Sequence, residues 1–135
     1  MTKDELMKIV HIDAKLDSKL RQLAELRETI ISISAVDYSK ENVQVEPSSA
    51  IENSVIRLTE LENEIEDDID KLVAKKKHAR DQISAVEGVY GTVLEMRYLE
   101  CMRWEEIAFR LSYGIRHIHR LHGEALEMIK SETSR

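Results

Sequence analysis

An all-α fold is predicted for these 135 residues: a long antiparallel, coiled-coil-like helical hairpin followed by a small three-helix helix-turn-helix domain. Three observations carry that prediction. Apolar residues return at every seventh position in two long stretches. A single proline and four glycines leave those stretches unbroken, and 34% charge with 4% aromatics suits helix and coiled coil. The stretch WEEIAFRLSYGIRHIHRLHGEAL, from Trp104 to Leu126, carries two short helical periods on either side of Ser112-Tyr113-Gly114. The division expected is residues 1–87 as an oligomerising hairpin and residues 88–135 as the helix-turn-helix domain.

The first helix is expected from a capping box, Thr2 with Glu5, to about Ser32. Ile9, Leu16, Leu23 and Ile30 form its seven-residue repeat. Leu6, Ile12, Leu20 and Leu26 widen the stripe beyond a two-stranded seam. Residues 33–49 break the period with Asp37, Ser39, Asn42, Pro47 and Ser48, so a long connector is expected there. The second helix is expected to open with a Ser49/Glu52 capping box. It carries Ile51, Leu58, Ile65, Leu72, Ala79 and Val86 in heptad register, with Val55, Ile69 and Ile83 beside them. Stripes this wide exceed what one hairpin covers, so a homodimer or higher assembly through the helical half is predicted.

Charge is unevenly distributed. Residues 1–87 hold 13 Lys+Arg against 19 Asp+Glu, while residues 88–135 hold seven of each. The acidic run Glu60 to Asp70 reads as a solvated face. The basic run Lys75-Lys76-Lys77-His78-Ala79-Arg80 reads either as its i, i+4 counterweight or as a phosphate-contacting patch, with Lys75, Lys77 and Arg80 as the contacts. Gly88 and Gly91 mark a break between the two halves.

In the C-terminal part, Trp104, Ile107, Ala108 and Leu111 share one helical face. Ile118, Leu121, Ala125 and Ile129 share another. At about 100° per residue, Arg116, Arg120 and Gly123 lie opposite the second stripe, with His117 and His119 flanking them. An apolar inner face with an arginine-bearing outer face suits entry into a major groove, where arginine forks onto guanine and glycine permits close approach. Trp104 and Tyr98 are expected in the core, Tyr113 exposed in the turn, and His122 packed and hydrogen-bonded.

The string VLEMRYLECMRWEEIAFRLSYGIRHIHRLHGEALEMI resembles region 4 of sigma-70-type transcription factors. Leu94, Arg97 and Tyr98 match its first element, Glu106-Ile107-Ala108 its second, and Ile118, Ala125 and Ile129 its third. Arg103 and Gly114 stand where that family usually has Ser or Thr caps. The whole chain is similar to small prophage-encoded late-gene regulators of the RinA and ArpU type. That resemblance implies regulation of phage genes in the cytoplasm of a bacterial host. It implies that double-stranded DNA is met by the helix from Ile115, with Arg116, His117 and Arg120 reading bases and His119 and Tyr113 positioning on the backbone. The alternative is an adaptor that docks on bacterial RNA polymerase or one of its regulators.

Other chemistries find little footing. No phosphate loop, nucleophile elbow or HExxH occurs, so no enzyme and no cofactor is expected. His117 and His119 diverge around their helix, and no metal site is expected. Cys101 is the single cysteine and reads as a small packed apolar residue in a reducing compartment. No apolar run reaches the ~20 residues that span a bilayer, and no membrane partner is expected.

Overall fold

The computed structural model describes residues 1–39 and 47–133, and among them all regular structure is helical. The elements are α1 (Lys3–Ser39), α2 (Pro47–Ile83), α3 (Gly88–Leu94), a π-helical turn (Glu95–Leu99), α4 (Trp104–Leu111) and α5 (Ile115–Thr133). Thr2 caps α1 as its sequence suggests: its hydroxyl accepts the Glu5 N–H at 3.4 Å and its carbonyl the Leu6 N–H at 3.2 Å.

The helix ends differ from expectation. Helix α1 continues seven residues past Ser32, because ISAVDYS holds no glycine or proline and its β-branched residues oppose helix only weakly. Helix α2 starts at Pro47, which suits a first helical turn where the missing N–H is no loss. Ser49 and Glu52 therefore lie inside the helix rather than forming a capping box. Of the expected connector only residues 40–46 fall outside α1 and α2, and they lie outside the described residues, with Asn42, Val43 and Val45 among them.

The chain forms two compact units: Met1–Asp13 with Lys71–Arg135, and Ala14–Asp70. This cut differs from a division at residue 87, since the first turns of α1 and the last turns of α2 belong with α3, α4 and α5.

In the unit of residues 14–70, Leu16 and Leu23 of α1 and Leu61 and Ile65 of α2 are buried. Lys19 bonds Asp68 at 2.7 Å and Arg27 bonds Glu62 at 3.4 Å, so the two helices run in opposite directions there. The hydrogen bond to Asp68 also raises the Lys19 ammonium above its usual pKa. The paired stripe is narrower than the sequence pattern. Leu20, Ile31, Val55, Ile56 and Ile69 remain exposed.

In the other unit, Leu6, Ile9, Leu72, Ala79 and Ile83 are buried, as are Val93 and Leu94 of α3. Helix α5 packs on α3 and α4 and buries Ile118, Leu121, Ala125 and Ile129, the stripe read from the sequence. Ile107 of α4 and Ile118 of α5 meet Met102 in a cluster flanked by Met96, Trp104, Ala108 and Leu111.

Two glycines make the break after α2 possible, by different means. Gly88 starts α3 at φ +69°, in the left-handed region that glycine occupies without strain. Gly91 lies inside α3, buried, where an added Cβ would meet the Val86 carbonyl oxygen well inside contact distance. That oxygen is backbone and cannot step aside without moving the turn. Gly91→Ala should therefore destabilise by about 1–3 kcal/mol, as overpacking does. Gly123, with open space at its Cβ position, should instead gain up to about 1 kcal/mol on change to Ala, from helix propensity. Paired thermal melts check this, and equal melting of Gly91→Ala and the parent protein contradicts it.

Candidate nucleic-acid interface

The outward face of α5 is fixed by what its inner face touches. The π-helical turn comes first. The Glu100 N–H reaches the Glu95 carbonyl at 2.9 Å, the Met102 N–H reaches the Met96 carbonyl at 2.9 Å, and Cys101 takes φ +54°. This widened turn leaves Tyr98 fully buried and its hydroxyl 2.6 Å from His122 Nε2. His122 is 7% exposed, the packed and hydrogen-bonded histidine that its position suggests. Arg97 donates from Nη1 to the Met102 carbonyl at 3.0 Å and lies 4.5 Å above the Trp104 ring, which is half-buried. Trp104 meets the rings of His122 at 4.6 Å and His119 at 4.8 Å. One polar and aromatic cluster thus ties the π turn, the start of α4 and the middle of α5 together.

The link from α4 to α5 turns at a serine and not at its glycine. The left-handed residue is Ser112, at φ +59°, where the chain leaves α4. Its position is closed by the Tyr113 N–H to the Ala108 carbonyl at 3.0 Å. Gly114 has ordinary φ and open space around it; its carbonyl accepts the Ile118 N–H at 3.1 Å and starts α5. The serine supplies the left-handed residue at a cost of about 1–2 kcal/mol that a glycine would avoid.

The proposed reading residues lie on or beside this outward face. Arg116 is exposed and, among the described residues, forms no ion pair within 4 Å. Arg120 donates from Nη2 to His117 Nδ1 at 3.0 Å and lies 4.0 Å from Glu124. A guanidinium has only donors, so Nδ1 of His117 accepts and its Nε2–H is left to donate. Tyr113 is exposed and packs edge-on against His117 at 4.6 Å. His119 is exposed, with its ring against Trp104. Hydrogen bonding to Glu124, and then its charge, raise the Tyr90 phenol above its usual pKa, so α3 also faces this acid.

Of the predicted phosphate contacts, Lys77 and Arg80 are exposed. Lys75 instead lines a hollow with Met1, Glu5, Lys8, Ala74 and His78. At about 100° per residue, Lys77 and Arg80 lie far around α2 from Lys75, so the three share no face. Among the described residues no three His, Cys, Asp or Glu side chains gather as a metal site, and no helix is long and apolar enough to cross a membrane. Cys101 is half-buried, with Sγ 3.7 Å from the Tyr98 carbonyl, and burial raises its thiol.

Sequence reasoning missed Lys8, whose place depends on pairing distant parts of the chain. It also missed Phe109, which is 88% exposed on α4 beside Glu105, Glu106 and Arg110. An apolar residue outside the inner stripe was the available signal for Phe109. Comparison with known protein families, curated proteins and solved structures finds no match to this chain.

The Tyr98–His122 pair has a consequence for acid stability. Burial lowers His122 from 6.5 to about 4 and pushes Tyr98 up to about 12, so both are neutral near pH 7. An unfolded His122 binds a proton more readily than the folded one. The stability it contributes is therefore complete above about pH 6.5 and is lost as pH falls through about 4, a change of about 3 kcal/mol. Urea unfolding across this range should show that loss in the parent protein and a flatter dependence in His122→Gln. Parallel curves for the two proteins contradict the assignment.

Proposed function

We propose that this protein is a DNA-binding transcriptional regulator, built as a helical hairpin followed by a helix-turn-helix, with α5 as the helix that enters the major groove. The observation carrying this reading is the division of α5. Ile118, Leu121, Ala125 and Ile129 are buried, while Arg116 and Arg120 on the opposite face are exposed. The charge of each unit supports it. Residues 1–13 and 71–135 hold 14 Lys+Arg and 12 Asp+Glu, whereas residues 14–70 hold six and 14. The net negative charge thus belongs to the unit without α5, and local field rather than total charge governs approach to DNA. The likeness to sigma region 4 and to prophage late-gene regulators points to phage genes in a bacterial cytoplasm.

The exposed Leu20, Val55 and Ile69 support a homodimer through residues 14–70, since apolar side chains at heptad-related positions favour burial against a second copy. A second reading has its own observation. Phe109, exposed among Glu105, Glu106 and Arg110, suits docking of α4 on a protein such as RNA polymerase, and an adaptor would use that face.

Titration of fluorescent duplexes tests the first reading. An arginine that forks onto guanine contributes about 1–3 kcal/mol of discrimination, so Arg116→Ala and Arg120→Ala should each relax preference at one base pair. Neither should alter stability by more than about 0.5 kcal/mol, because both are exposed. Stoichiometry from the same titration should be two chains per duplex. Unchanged binding by the double variant excludes α5 as the reading surface and favours the adaptor, and one chain per duplex contradicts the dimer.

A further inference from the structure

The basic run at the end of α2 lacks the partners its sequence suggests. Residues 60–70 hold seven acids and no base, and residues 71–80 hold five Lys+Arg and no acid. If the two runs neutralised each other, ion pairs would join them. Instead Glu62, Glu64 and Asp68 pair with Lys19 and Arg27 of α1 and with Arg57. Lys71, Lys75, Lys76, Lys77 and Arg80 enter no ion pair within 4 Å among the described residues. These ammonium and guanidinium groups are therefore free of the ion pairs that would tie them to the acidic run.

Part of that charge faces a concave surface. Met1, with Glu5 and Lys8 of α1 and Ala74, Lys75 and His78 of α2, lines a hollow of 370 Å³. Lys75 is half-buried and Lys8 is exposed, and both line the hollow. Among the described residues Glu5 is the one carboxylate in the lining, set against two lysines and a histidine with a donor to offer. Neither lysine forms an ion pair with Glu5. Two unpaired ammonium groups and an imidazole around one hollow match a tetrahedral oxyanion better than a cation or an apolar ligand.

We propose that this hollow is a phosphate-binding site, with Lys8 and Lys75 as the charged contacts and His78 as a further donor, and that the phosphate it holds belongs to a DNA backbone. The phosphate chemistry stands independently of α5, whereas the DNA assignment rests on the reading above. The site would anchor the duplex without reading sequence, as phosphate contacts do.

The test uses the full chain and the variant Lys8→Gln/Lys75→Gln, which removes two charges from exposed or half-buried stems; circular dichroism melting confirms its fold. In one arm, binding to a duplex is followed across a salt series. The variant should lose affinity equally for cognate and scrambled sequences, and its slope of log K against log salt should fall by about two units. In the other arm, inorganic phosphate is titrated into ¹⁵N-labelled protein. The Ala74 and His78 amides should shift in the parent protein and stay still in the variant. An unchanged salt slope with phosphate-induced shifts retained in the parent overturns the DNA assignment and identifies a free phosphate compound as the ligand. Absence of both effects overturns the site. A lowered slope in the lysine variant with unchanged binding by Arg116→Ala/Arg120→Ala keeps the site and rejects α5 as the reader; the reverse pattern keeps α5 and rejects the DNA assignment of the hollow.

Discussion

Helix α5 has a single apolar stripe, and the way that stripe is buried governs the rest of the C-terminal fold. Ile118, Ala125 and Ile129 are fully enclosed, and Leu121 nearly so. Burying such a stripe is worth roughly 1.5–3 kcal/mol per large side chain, enough to fix the rotation of the helix about its axis. Apolar burial alone would still let α5 slide along its neighbours. The Tyr98–His122 hydrogen bond and the contacts of Trp104 with His119, His122 and Arg97 are directional and set its position. With rotation and position both fixed, Arg116 and Arg120 face outward as a consequence of packing on the other side.

The distribution of charge follows from the same separation of roles. A chain with net charge −6 looks poorly suited to DNA. The acidic residues of α2, however, are concentrated where α1 offers Lys19 and Arg27, and that pairing is internal to residues 14–70. The basic segment that follows belongs to the unit of α5. Long-range attraction depends on the field near the approaching phosphates, which decays within about 8 Å at physiological ionic strength, so the charges beside those phosphates count for more than the total of the chain.

Much of the fold was legible because it rests on periodicity. The buried faces of α4 and α5, the Thr2 cap and the packed His122 all follow from spacing and residue type. Helix ends were harder to read. Ile33 and Val36 look like a broken period, yet α1 passes through them because no residue there stops it. Residue type does not report which residue of the turn is left-handed: glycine is the usual one, yet Ser112 takes that conformation and Gly114 does not. Within the candidate site, Arg116 and Arg120 needed only local spacing. The Lys8–Lys75 hollow depends on bringing distant segments of α1 and α2 together, which residue spacing within either helix does not report.

If α5 and the end of α2 share one DNA-facing role, hydrogen–deuterium exchange of the full chain, with and without a duplex, should show both segments responding together. The amides of Ile115, Arg116 and His117 precede the first intrahelical bond of α5, donated by Ile118, and are open to exchange in the free protein. Exchange should slow there and in the last turns of α2 when DNA binds, with residues 14–70 unchanged. Protection confined to α4 around Phe109, with α5 exchanging as in the free protein, would contradict it.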